Sequence, residues 1–90
     1  MTEPRLQTGR YRFERGRFIP DAGMKAINER LSSMRLLADA GDGTPSFYVD
    51  PSDGSYWECR EYEDYRKELR KVNREYIEQN YPTVDPDRRL

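Results

Sequence analysis

The side chains able to do chemistry in this chain are carboxylates, phenols and one thiol, and they have no histidine to work with. Histidine is absent from all 90 positions. That removes the usual general base, the commonest transition-metal ligand and every Ser-His or Cys-His nucleophile pair. Cys59 is the single cysteine. Without a basic partner it reads as a small buried hydrophobe, on the same strand face as Trp57. Asp50, Asp53 and Glu58 lie close along one stretch, where paired carboxylates could move protons or hold a hard cation. Their spacing fits no established cage. An EF-hand loop needs acids at alternate positions ahead of its glycine, whereas Asp50-Pro51-Ser52-Asp53-Gly54 sets them three apart. Turn chemistry accounts for both aspartates, whose carboxylates hydrogen-bond nearby amides. The expectation is a protein that is not an enzyme, with no catalytic residue, no metal and no cofactor.

Binding is then the remaining work, and two stretches could do it. Asp50, Asp53, Glu58, Glu61, Glu63 and Asp64 surround Tyr48, Tyr56, Trp57 and Tyr62, so acids alternate with rings. Aromatic anchors supply affinity at protein interfaces, and concentrated negative charge speeds encounter with a basic partner. From this stretch Asp50, Asp53, Tyr56, Trp57, Glu58, Glu61 and Asp64 are the expected contact residues. The same residues also fit a plain solvated acidic surface with its rings turned inward. The other stretch, GRYRFERGRF, interleaves arginine with aromatics as nucleic-acid surfaces do. On an alternating strand, however, Arg10 and Arg12 would face solvent while Tyr11 and Phe13 enter the core. The acidic stretch would also repel a phosphate backbone, so nucleic acid is the weaker expectation.

Regular elements must position these groups, and their pattern is readable. Tyr11 and Phe13 alternate with Arg10, Arg12 and Glu14, the period of a half-buried strand. Arg15-Gly16 reads as a turn, and Arg17-Phe18-Ile19 as the returning strand ended by Pro20. Asp21 can cap a helix. Met24, Ile27, Leu31 and Met34 follow at spacings of three, four and three, which is one helical stripe. Arg35 to Ala40 suits a strand, and Gly41-Asp42-Gly43-Thr44-Pro45 suits a loop. Phe47-Tyr48-Val49 and Tyr56-Trp57-Glu58-Cys59 flank a Pro- and Gly-bearing turn, which predicts an antiparallel hairpin. Tyr62, Tyr65, Leu69, Val72 and Tyr76 recur three and four apart, which predicts a helix over 62–81 that Pro82 ends.

The pattern predicts an α+β domain in the order β-β-α-β-β-β-α, a small antiparallel sheet with two helices covering one face. Its expected limits are a loose arm over 1–9, the domain over 10–81 and a frayed tail over 82–90. Ninety residues leave room for one core, and 37% charged against 34% apolar residues makes that core modest. The net charge of -1 conceals a +3 segment over 1–20 and a -4 segment over 43–66, so a bipolar molecule is expected. One cysteine rules out an internal disulfide, and no apolar run has the length of a membrane span or signal core. A reducing cytoplasm fits best.

One resemblance is carried by particular residues. Gly16-Arg17-Phe18-Ile19-Pro20-Asp21-Ala22, a helix bearing Ile27 and Leu31, and the run Phe47-Tyr48-Val49-Asp50-Pro51-Ser52-Asp53-Gly54-Ser55-Tyr56-Trp57-Glu58 stand in that order. Over roughly residues 9 to 60 the chain resembles the immunity protein 27 family of bacterial polymorphic toxin systems. The resemblance implies a cytoplasmic protein that binds and neutralises a cognate toxin by stoichiometric contact. It also implies that the acidic residues would face the toxin if that toxin is a basic nuclease. The alternative is a small nucleic-acid-binding module using Arg10, Arg12, Arg15 and Arg17.

Overall fold

Eight elements follow one another in the computed structural model, which describes residues 6–41 and 44–87. They are β1 (Leu6–Glu14), β2 (Arg17–Pro20), α1 (Ala22–Ser32), β3 (Arg35–Ala38), β4 (Ser46–Val49), β5 (Tyr56–Glu61), β6 (Arg66–Val72) and α2 (Arg74–Asn80). The strands form one antiparallel sheet in the order β2-β1-β6-β5-β4-β3. The chain is therefore an α+β domain with an antiparallel sheet and two helices, as its residue pattern implies.

Residues 62–81 depart from their helical pattern. Arg66–Val72 is a strand inserted between β1 and β5, and only Arg74–Asn80 is helical. Burial on two faces explains the misleading spacing. Residues three apart on a strand point to opposite sides of the sheet, and both sides are covered here. Leu69 joins Ile27, Trp57 and Cys59 beneath α1, while Val72 packs with Leu37, Phe47, Val49 and Ile77 beneath α2. Tyr65, at φ +65°, takes a left-handed conformation that stops a helix from running through it.

The same two clusters correct the expected layering. The helices do not share a face; each covers its own side of the sheet. This is why Trp57, Glu58 and Cys59 are all buried in succession on β5.

Local chemistry sets the start of α1. Asp21 Oδ1 accepts from Met24 N at 2.7 Å, and it also accepts from Arg10 N at 3.2 Å. These two amide hydrogen bonds, the Met24 one first, hold the Asp21 carboxyl below its ordinary value. One side chain thus caps the helix and ties it to β1. The helix backbone lies directly on that strand: a Cβ at Gly9 would fall on the N and Cα of Met24, and one at Gly23 on the carbonyl of Thr8.

Both expected ends are shorter than the pattern suggests. Residues 6–9 belong to β1 and pair with β6, from Leu6 opposite Arg70 to Gly9 opposite Lys67. The first five positions lie outside the described residues. At the other end, Val84 packs on the α2 cluster, Tyr56 OH donates to the Pro86 carbonyl at 3.3 Å, and Arg74 pairs with Asp87. Residues 82–87 are thus held against the domain, and 88–90 lie outside the described residues.

Candidate functional site

The expected acidic contact surface divides into three parts with different roles. Asp50 and Asp53 sit in the turn before β5, whereas Glu61 and Asp64 sit at its far end; at about 3.3 Å per residue, the strand keeps them roughly 20 Å apart. Asp50 Oδ1 accepts from the amide and hydroxyl of Ser52, and Asp53 Oδ1 accepts from those of Ser55. The Ser55 hydroxyl bond, followed by its amide bond, lowers the Asp53 carboxyl below its ordinary value. Ser55 Oγ also accepts from Trp57 Nε1 at 2.9 Å. The turn carboxylates therefore secure the hairpin, and Gly54 supplies the positive φ of 73° that the bend needs.

Two of the expected contacts leave the surface altogether. Trp57 is buried beneath α1 and has the Arg30 guanidinium 4.1 Å above its ring. Glu58 is only 1% exposed. Arg60 Nε and Arg70 Nε each donate to its Oε1 at 3.0 Å, and Tyr76 OH donates to its Oε2 at 2.5 Å. Burial pushes this carboxyl upward, but the Tyr76 and Arg60 hydrogen bonds and the charges of Arg60 and Arg70 prevail and hold it below its ordinary value. Tyr56 is half-buried on the α2 cluster. Glu61 and Asp64 do face solvent, paired with Lys67 at 3.3 Å and Arg10 at 3.5 Å.

Cys59 lies in the α1 cluster, and burial pushes its thiol up to about 11. The thiolate is the reactive form. Folded protein should therefore resist iodoacetamide at mildly alkaline pH and react only as it unfolds. Mass spectrometry across a urea series checks this, and rapid labelling without urea would contradict it.

The rings that face solvent are elsewhere, at the end of the sheet where the β1–β2 hairpin meets the 62–65 turn. Phe13 and Phe18 are cross-strand partners with centroids 5.2 Å apart, and Phe18 lies 4.9 Å from the Tyr65 ring. Phe13 is 62%, Phe18 52% and Tyr65 56% exposed. Phe13 was expected in the core. Helix α1 extends to Tyr11, whose hydroxyl accepts from Asn28 Nδ2 at 2.8 Å, but leaves Phe13 open to solvent. Tyr11 N donates to the Tyr65 carbonyl at 3.0 Å, which fixes the turn against the hairpin. A groove of about 520 Å³ runs beside Tyr65, with Arg10, Arg12, Asp21 and Asp64 among its walls.

Folding offsets part of the expected bipolarity. The basic N-terminal stretch and part of the acidic one meet at this end, where Arg10 pairs with Asp64 and Arg12 with Glu14. Alternation with arginine was the one sequence signal for this patch. Among the described residues no three acidic or cysteine side chains converge as metal ligands, and no helix is long and apolar enough to cross a membrane. Compared with protein-family models, curated proteins and solved structures, the chain matches none of them.

Proposed function

We propose that this chain is an immunity protein, which neutralises a cognate bacterial toxin by stoichiometric contact centred on Phe13, Phe18 and Tyr65. The observation that carries the reading is the row of three large rings, each more than half exposed and packed on one another at the sheet's end. Grouped exposed rings in a soluble protein mark an interaction surface. Aromatics beside arginine are the composition of binding hot spots. The mixed charge of the groove walls suits a protein partner with both signs. The resemblance over the Asp-Pro-Ser-Asp-Gly hairpin and the Asp21-capped helix supplies the toxin as that partner's class.

Co-expression tests this directly. The chain should restore growth to bacteria producing the toxin domain encoded beside it, and calorimetry should give one-to-one binding. Phe18→Ser with Tyr65→Ser should weaken that binding at least about thirtyfold, the loss of a hot spot of about 2 kcal/mol, without moving the unfolding midpoint. Full protection by the double variant would sink the assignment of this surface.

The exposure of Phe13 and Phe18 beside Arg12, Arg15 and Arg17 also favours a second reading, a module that stacks single-stranded nucleic acid. Glu14, Glu63 and Asp64 interrupt the positive charge there, so the protein partner is preferred. Binding of single-stranded RNA that weakens steeply with added salt would reverse that preference.

A further inference from the structure

We propose that Arg60 and Arg70, held side by side by the buried Glu58, form a binding site for a single carboxylate, supplied by an acidic side chain of the partner protein. Only the source of that carboxylate rests on the reading of the chain as a toxin-binding protein. Both Nε atoms hydrogen-bond one oxygen of Glu58, so the two guanidinium groups are neighbours. Arg60 Nη2 donates to Tyr81 OH at 3.0 Å and Arg70 Nη2 to Tyr76 OH at 2.6 Å, which fixes each fork in one orientation. Tyr76 also lies within hydrogen-bonding reach of Arg60, and both arginine side chains remain 42% exposed, so each fork keeps an edge toward solvent.

Charge decides what the site would take. Two cations surround one carboxylate, leaving one positive charge at a half-exposed position. Glu68, opposite Arg60 in the strand register, turns instead to Arg66 at 3.9 Å. A monoanionic carboxylate matches that surplus and the planar fork of a guanidinium. A dianionic phosphate would overshoot it. The arginines are already ordered by Glu58 and the tyrosines, so an incoming carboxylate has little side-chain freedom to remove. This site lies on the α2 side of the sheet, apart from the ring row.

Nitrogen-15 NMR of the Arg60 and Arg70 Nε–H groups in the whole chain tests the proposal. The probes are acetate, a capped tetraglutamate peptide, inorganic phosphate and, as the ionic-strength control, chloride. The peptide and acetate should shift both signals saturably, beyond anything chloride does. Arg60→Lys, which keeps the charge and loses the fork, should weaken peptide binding at least about fivefold, as should Arg70→Lys. Shifts no larger than those from chloride would overturn the site, and saturation by phosphate alone would overturn its assignment to a carboxylate. If a lysine variant fails to fold, the wild-type titration still decides. Loss of toxin capture on changing Phe18 and Tyr65 tests the ring row independently, so either proposal can fail while the other stands.

Discussion

Glu58→Ala should lower the free energy of unfolding by about 3 kcal/mol, the low end of the cost of breaking a buried ion pair, because Arg60 and Arg70 are half-exposed and partly rehydrate. A small domain has only about 5–15 kcal/mol in total, so urea should unfold the variant at a much lower concentration. Glu58→Gln isolates the part due to charge. The Glu58 carboxyl is held below its ordinary value. Its contribution is therefore complete above the unfolded chain's pKa and is lost as pH falls through the folded one. The gap in urea midpoint between wild type and Glu58→Gln should be wide near pH 7 and narrow toward about pH 3, below the ordinary carboxylate range. A gap unchanged with pH would mean that the charge does not hold these strands together.

Gly9→Ala should be at least as damaging, costing more than about 3 kcal/mol, the upper range for overfilling a packed site. The added carbon would meet the backbone of Met24 rather than the end of a flexible side chain. Relief requires α1 to rise from β1, which opens the cluster of Ile27, Trp57, Cys59 and Leu69. Gly54→Ala is the contrasting control. It faces open space at a φ of +73°, so its cost is conformational, about 1–2 kcal/mol. Denaturant melts of the two variants decide the matter. Equal destabilisation would show that the helix yields easily and that the close approach is not a constraint.

The ring row and the buried carboxylate differ in how far they could be read in advance. Alternation of Tyr11 and Phe13 with arginine marked β1 and the side of the sheet its rings share. It carried no information on where α1 stops, and that decides that Tyr11 is half-buried and Phe13 exposed. For Glu58, its place in an acidic, aromatic stretch suggested a surface role. Its partner Arg70 lies across the sheet on β6, and Tyr76 lies on α2. The hydroxyls of Tyr76 and Tyr81 and the guanidiniums of Arg60 and Arg70 had no signal in the chain that could single them out.

Local rules were enough for the Asp21 cap, the Met24, Ile27 and Leu31 stripe of α1 and the Asp50–Gly54 turn, because each depends on neighbours within a few positions. Met34, the fourth residue of the expected stripe, lies past the helix end at Ser32, and Cys59 is buried by the distant Ile27 and Leu69. They were also enough for the α+β class, since hairpin turns join strands that must run antiparallel. The strand at 66–72, the helices on opposite faces, the meeting of the basic and acidic stretches and the exposed rings were decided only in three dimensions. Each depends on which distant segment covers a given face. A spacing of three between Leu69 and Val72 serves one face of a helix and both faces of a covered strand equally well, and only the layers above and below the sheet distinguish the two.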